Sequence, residues 1–138
     1  MMEQANTLGA VNGPVRLLLR LEALVLMVAA LVFYIRLGAS WEMFAILFLV
    51  PDLSMLAYLV NAKSGAEVYN TAHSTIGPII VTAAGIITGW DSMAAVGLIW
   101  AAHVGFDRAL GFGLKYPSAF GDTHLGRIGR LVGKGEVA

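Results

Sequence analysis

The stretch "WAAHVGFDRALGFG", residues 100–113, carries a histidine, an aspartate and an arginine within a segment apolar enough to cross a membrane. Charged groups in hydrocarbon are costly, so they usually face the interior of a helical bundle, a partner or water. His103 and Asp107 are four residues apart and therefore share one face of a helix. The stretch predicts a membrane helix with one polar face.

The composition of the whole chain also indicates a membrane protein with the lipid bilayer as its partner. Of its 138 residues, 58% are hydrophobic and 13% are charged, whereas a soluble domain carries about 25% charged residues. Nine Lys and Arg balance nine Asp and Glu. Because no basic patch with interleaved aromatic residues is present, we expect no nucleic-acid partner. The chain has no cysteine, which excludes thiolate ligands and leaves nitrogen and oxygen to hold any metal.

Four apolar stretches predict an all-α fold, a four-helix transmembrane bundle. Crossing about 30 Å of hydrocarbon at about 1.5 Å per residue takes roughly 20 residues. We predict helices at about 15–36, 39–61, 66–88 and 92–113, joined by the linkers "RLGAS", "NAKSG" and "GWDS". Such short linkers make neighbouring helices antiparallel. Residues 1–138 are thus predicted to form a single integral membrane domain.

Residues 114–138 form a short tail that is too polar and glycine-rich to span a membrane. Basic residues mixed with Leu125 and Ile128 favour a segment lying along the anionic inner surface of the membrane. A partly disordered tail is the alternative beyond Gly129.

The distribution of Lys and Arg predicts the orientation of the bundle. Eight of these residues fall on the side that holds the N-terminus, the second linker and the tail, and only Arg36 falls on the other. Positive residues favour cytoplasmic loops. We therefore expect a multi-pass protein of the bacterial inner (cytoplasmic) membrane with a cytoplasmic N-terminus and a cytoplasmic C-terminus.

Ionisable residues of three predicted helices lie at a similar depth. Counted from the cytoplasmic ends, Asp52, His73 and His103 lie ~13, ~10 and ~15 Å deep, with Asp107 one turn below His103. Glu22 enters from the first helix at a shallower level. Two imidazoles and two carboxylates suit Zn²⁺, Fe²⁺ or Mn²⁺. The sequence predicts a divalent metal site of Asp52, His73, His103 and Asp107, with Glu22 or Asp107 as the catalytic base.

Small residues form a second face on the last helix. Gly97, Ala101 and Gly105 recur every four residues and lie ~200° around the helix from His103. Such spacing lets another helix approach closely, within the bundle or in a second copy. We predict a homodimer that uses this seam or the pair Gly85 and Gly89.

Several strings resemble a bacterial family of small integral membrane proteins catalogued as domain of unknown function 4260. These strings are "LVPDLSMLAYLVN", "GAEVYNTAHS", "WAAHVGFDRALGFGLKY" and "FGDTHLGRIG", and the resemblance covers about residues 17–129. It implies a four-span membrane protein and no established activity. Ala57 stands where the family pattern has glycine. The polar residues of the family pattern fall on Asp52, Tyr69, Asn70, His73, His103, Asp107, Asp122 and His124.

The resemblance adds a supporting group, Tyr69 and Asn70 on the third helix with Asp122 and His124 in the tail. A tail that folds back beneath the bundle would form a cytoplasmic cap and bring Asp122 and His124 near Asp107. A solvated loop, with Asp122 capping a short helix, is the alternative interpretation.

Three functions are compatible with this sequence. The first is a metal-dependent hydrolase acting on a lipid or membrane-associated substrate through a His/Asp site in the cytoplasmic half of the bundle. The second is a non-enzymatic structural or accessory subunit whose polar cluster fixes helix packing. The third is a proton or ion relay. Residues 24–33 and 79–87 are almost without groups that carry charge, so a relay would stop halfway across.

The predicted orientation can be tested with a topology reporter fused after Ala138. Because both termini are expected in the cytoplasm, green fluorescent protein should fluoresce there and alkaline phosphatase should remain inactive. The same reporters placed in the linker after Arg36 are the control, and there the phosphatase should be active and the fluorescent protein dark. Active phosphatase at the C-terminal fusion would reverse the orientation.

Overall fold

The computed structural model describes residues 10–117 and 120–127. The described chain is all-α apart from one two-residue hairpin, which confirms the predicted fold class. Its elements are α1 (Gly13–Leu37), α2 (Trp41–Phe48), a 3₁₀ helix (Val50–Leu59), α3 (Ala62–His73), α4 (Ile76–Thr88), α5 (Asp91–Leu110), β1 (Asp122–Thr123) and β2 (Gly126–Arg127). They make four helical segments: α1, α2 with the 3₁₀ helix, α3 with α4, and α5.

Three of these segments within the described residues are long and apolar enough to cross a membrane, namely Gly13–Leu37, Trp41–Leu59 and Ala62–Thr88. Many of their large apolar side chains are exposed, which suits contact with lipid. The fourth segment, α5, has 20 residues and is not among them, so its crossing of the membrane stays a prediction. Half of its residues are buried in the bundle, so α5 tolerates polar groups that a lipid-facing helix would not.

The second segment is not the continuous α-helix predicted over residues 39–61. Helix α2 ends at Phe48, and the chain continues from Val50 as a 3₁₀ helix. The reason is Pro51, which has no N–H to donate and whose ring clashes with the preceding turn of an α-helix.

The third segment is also broken, where one helix was predicted over residues 66–88. Helix α3 ends at His73 because Ser74 adopts extended backbone angles, φ −73° and ψ 152°. Helix α4 then begins at Ile76 with Pro78 in its first turn, where the missing N–H of proline is tolerated.

Helix α3 begins earlier than predicted, so most of the "NAKSG" linker is helical. The Asn61 side chain accepts a hydrogen bond from the backbone N–H of Ser64 at 2.7 Å, which satisfies a free donor of the first turn. Lys63 lies in that turn, and the connection from the 3₁₀ helix is correspondingly short.

The small-residue seam of α5 is used within one chain, which corrects its assignment to a homodimer interface. A Cβ atom at Gly97 would collide with Thr82 of α4, and one at Gly105 would lie 2.7 Å from the carbonyl oxygen of Ala23 in α1. Ala101 is buried between them. Gly85 likewise approaches α5. The pattern of small residues therefore serves the packing of α5 against α1 and α4, and the homodimer stays a prediction without this seam.

The apolar core lies between α1 and the first half of α5. Tyr34 is fully buried there and packs with Ile99 and Ala102. Its hydroxyl donates to the carbonyl of Ser40 at 2.6 Å, and its ring contacts that of Phe44. This core fixes the end of the bundle opposite the tail.

We predict that Gly105→Ala lowers the free energy of unfolding by about 1–3 kcal/mol, because the added methyl group overpacks the contact with α1. The measurement is unfolding of the purified protein by sodium dodecyl sulfate. Ala83→Leu, at an exposed position of α4, is the control and should unfold like the parent protein. Equal stability of the Gly105 variant would contradict the close approach of α1 and α5.

Candidate metal centre

Four ionisable side chains from three segments converge on one point. Nε2 of His73 lies 3.1 Å from Nε2 of His103. A carboxylate oxygen of Asp52 and one of Asp107 each lie 3.3 Å from His103 Nε2 and 3.4 Å from His73 Nε2. The ligand atoms of the four residues all lie within 4.8 Å of one another. The structure therefore brings together the residues that the depth argument groups, with the two carboxylates equally near the histidines.

These spacings suit one divalent cation. A tetrahedral ion with nitrogen and oxygen ligands at about 2.0–2.1 Å keeps neighbouring ligand atoms about 3.3 Å apart. The five separations between imidazole and imidazole, or imidazole and carboxylate, are 3.1–3.4 Å. The cluster can hold a metal ion, and the role of each residue as a ligand stays a prediction.

The breaks in the second and third segments position two of the four residues. Asp52 lies in the first turn of the 3₁₀ helix, directly after the end of α2. His73 is the last residue of α3. His103 and Asp107 lie one turn apart on the unbroken α5. Interrupted helices at membrane depth commonly form binding sites, because the helix ends present groups that a continuous helix keeps occupied.

Two residues of α5 that were not among the sequence candidates stabilise the break after α3. Trp100 Nε1 donates to the carbonyl of Ala72 at 2.6 Å, and Arg108 Nη2 donates to the carbonyl of His73 at 3.3 Å. In apolar surroundings every such carbonyl needs a donor. The signal in the sequence near this break was Pro78, whose missing N–H leaves the carbonyl of Ser74 without a helical donor.

Neighbouring groups hold the imidazole of His73 and pack against that of His103. Nδ1 of His73 lies 2.9 Å from the Tyr69 carbonyl, which can only accept, so Nδ1 donates to it and Nε2 faces the cluster. The rings of Tyr69 and His73 stack at 3.8 Å. Phe48 packs its ring against that of His103 at 5.1 Å. A histidine that ligates a metal usually donates its other N–H to a carbonyl or carboxylate in this way.

The cluster is buried on the side of the histidines and opens at one carboxylate. The side chains of His73 and His103 are 4% and 2% exposed, and that of Asp107 is 14% exposed. The Asp52 side chain is 38% exposed. Any molecule that reaches this cluster must therefore approach past Asp52.

Glu22, predicted as a catalytic base, does not join the four residues. Its side chain is exposed on α1, and the neighbouring Ala23 is the residue that meets Gly105 of α5. One residue turns an α-helix by about 100°, so Glu22 points away from that contact. Glu22 is predicted at a comparable but shallower depth than the cluster, its direction differs, and its catalytic role stays a prediction without a supporting contact.

The family described as "Domain of unknown function (DUF4260)" matches residues 16–128. The chain belongs to the DUF4260 family. The match confirms the resemblance seen in the sequence, and it includes the four clustered residues. No curated protein and no solved structure matches the chain.

The tail of this DUF4260 chain is fastened to α3 by a reciprocal pair of hydrogen bonds. The Asn70 side chain donates to the Lys115 carbonyl at 2.7 Å and accepts from the Lys115 N–H at 2.6 Å. The Lys115 ammonium donates to the carbonyl of Phe120 at 2.8 Å and lies 4.7 Å from the ring centre of Tyr69. Because Tyr69 stacks on His73, the tail contacts the cluster through this ring. Asn70 and Tyr69 thus connect the tail to α3 and to His73, and their supporting role in the site stays a prediction.

His124 holds the tail in a compact fold. Its Nδ1 accepts from the Leu114 N–H at 2.9 Å, and its carbonyl accepts from the Val11 N–H at 2.9 Å. Leu125 is fully buried. This part of the tail therefore folds against the bundle, which corrects the prediction that Leu125 lies along the membrane surface.

Asp122 lies in β1, which pairs with β2, so the alternative of a short helix capped by Asp122 is wrong. Its backbone carbonyl accepts from the N–H of Tyr116 at 2.7 Å. Asp122 and His124 belong to the fold of the tail, and their approach to Asp107 stays a prediction. The prediction for residues after Gly129 lies outside the described part of the chain.

Burial changes the protonation of two groups in the tail. It lowers the pKa of Lys115 to about 8, and the nearby Asp107 opposes this effect. Burial, together with the positive charge of Arg108, lowers the pKa of His124. With a pKa of about 8 Lys115 still carries its charge near neutral pH, and the tail holds this ammonium with a carbonyl and aromatic rings.

We predict that Asn70→Ala releases the tail, because both backbone groups of Lys115 lose their partners at a cost of about 1–3 kcal/mol. Hydrogen–deuterium exchange at Lys115 and His124 should become faster by at least about fivefold. Thr71→Ala, at the neighbouring exposed position, is the control and should exchange like the parent protein. Unchanged exchange in the Asn70 variant would contradict the anchoring role.

Proposed function

We propose that this protein is a metal-dependent hydrolase that acts on a lipid or another membrane-associated substrate. The observation that carries the proposal is the convergence of four ligand atoms from three segments within 4.8 Å. Nitrogen and oxygen donors of this kind suit Zn²⁺, Fe²⁺ or Mn²⁺. Such an ion, when bound, lowers the pKa of a coordinated water towards about 7 and so supplies a nucleophile near neutral pH.

We assign His73, His103 and Asp107 as the ligands and Asp52 as the general base. Catalytic sites commonly use three protein ligands and keep one position open. The three assigned ligands are the most buried members of the cluster, and Asp52 is the exposed one. A carboxylate at the opening is placed to accept a proton from water that enters there. This assignment gives Asp52 the role that the sequence suggested for Glu22 or Asp107.

The surroundings of the opening support a substrate that comes from the membrane. Asp52 lies on the second segment, whose residues are mostly exposed and apolar. The eight Lys and Arg on the side of the tail favour a location of the site in the cytoplasmic half of a bacterial inner membrane, with both termini in the cytoplasm. A lipid of the inner leaflet would then reach Asp52 without leaving the bilayer.

A second candidate is a structural role, in which the cluster fixes the packing of helices. The 3.1 Å separation of the two Nε2 atoms is also a hydrogen-bond distance, and the carboxylates lie near enough to attract a protonated imidazole. A polar group in a membrane bundle that finds a partner in this way restricts the register of the helices.

Metal analysis separates the two candidates. We expect the purified protein to bind one divalent ion per chain, measured by mass spectrometry after dialysis against Zn²⁺, Fe²⁺ or Mn²⁺. His103→Ala should weaken metal binding by at least ~10-fold. Removing only the hydrogen-bond partner of a metal ligand already lowers affinity by about 10-fold or more, and removing the ligand itself should cost at least as much. His124→Ala removes the third histidine, outside the cluster, and should retain the ion.

The helical content of each variant, measured by circular dichroism, shows whether it folds. Asp107→Asn is the conservative second variant and should also lose the ion. Folded parent protein that binds none of the three ions would contradict the hydrolase proposal and favour the structural role.

A further inference from the structure

An apolar groove lies directly beside the cluster. Its volume is about 260 Å³, and it lies between the second segment, the end of α3 and α5. Its wall is apolar except for a hydroxyl and an indole N–H. Lining residues include Val50, Pro51, Ser54, Ala72, Val96 and Trp100.

The groove and the cluster share their walls. Pro51 of the groove precedes Asp52 in the chain, and Ala72 precedes His73. Trp100 lies about one turn before His103 on α5. The same three elements therefore carry the groove and the cluster, and the exposed Asp52 is the next residue after Pro51 of the groove wall.

The polar groups of the groove wall are already satisfied. The Ser54 hydroxyl donates to the Pro51 carbonyl at 2.6 Å, and the Trp100 indole donates to the Ala72 carbonyl at 2.6 Å. The lining thus offers a ligand van der Waals contact and no free donor. This chemistry favours a hydrocarbon chain over a polar ligand, which would leave its own groups without partners.

We infer that the groove binds a single linear hydrocarbon chain of an amphiphile whose polar head lies beside Asp52. This inference deepens the proposed function. The claim that the amphiphile is the substrate rests on that function, whereas the binding of its chain does not. The 260 Å³ of the groove lies at the small end of the range for small-molecule pockets, about 300–1,000 Å³, which suits one chain better than a bulky ligand.

Quenching of Trp100 fluorescence tests the inference. Trp41→Phe and Trp90→Phe leave Trp100 as the single tryptophan. The probe is a monoacylglycerol with a ten-carbon chain brominated at its end, added to the protein in nanodiscs of a saturated phospholipid. We expect saturable quenching that unbrominated monodecanoylglycerol reverses.

Two variants on opposite walls fill the groove. Val96→Phe on α5 and Val50→Phe on the 3₁₀ helix should each weaken the quenching by at least tenfold, because the added ring takes the space of the chain. Val28→Phe on α1, outside the groove lining, is the matched control and should leave the quenching unchanged. Quenching that rises linearly with probe, or that persists in both groove variants, would show that bulk lipid alone meets Trp100 and would overturn the inference.

The neutral head of the probe keeps this test separate from the test of the hydrolase. Saturable binding should persist after treatment with a chelator, because the chain contacts only the apolar wall. Failure of the protein to bind metal then refutes the hydrolase and leaves the chain site standing. Failure of the quenching refutes the chain site and leaves the metal analysis unaffected.

Discussion

The site depends on one constraint: where a helix ends in apolar surroundings, its free carbonyls must find donors. The break after α3 leaves carbonyls at Ala72 and His73, and these accept from Trp100 and Arg108 of α5. The same helix contributes His103 to the cluster. A break that would be costly in an isolated helix is thus stabilised by the helix that completes the site.

This constraint explains why α5 has the composition of a buried helix. His103 and Asp107 face the cluster, whereas Gly97 and Gly105 lie on another side of the helix and pack against α4 and α1. A side chain larger than hydrogen at either glycine would separate the helices and move Trp100 away from the carbonyl that it satisfies. Close packing and polar contacts are therefore parts of the same arrangement, and a lipid-facing helix could provide neither.

Hydropathy was sufficient to place the four helical segments, and the four-residue spacing of His103 and Asp107 was sufficient to place them on one face. Counting depth along the helices grouped them with Asp52 and His73. Depth does not say towards which side of a helix a residue points, so Glu22 was grouped with these residues although it points away from them. Small residues indicate a close approach without saying which helix approaches. The tail depends on Asn70 and a residue 45 positions later in the chain, a pairing that local patterns do not contain.

The uneven burial of the four clustered side chains helps to distinguish a packing role from a role that needs access from outside. A group of polar residues that only fixes helix packing gains most when every member is enclosed, because enclosure strengthens their mutual hydrogen bonds. Here both histidines and Asp107 are enclosed, whereas Asp52, which follows Pro51 of the apolar groove, is 38% exposed. Its position follows from Pro51, which ends α2 and directs the next turn of the chain. The break therefore produces an opening at Asp52. The packing of the helices does not require such an opening, whereas the entry of a substrate would.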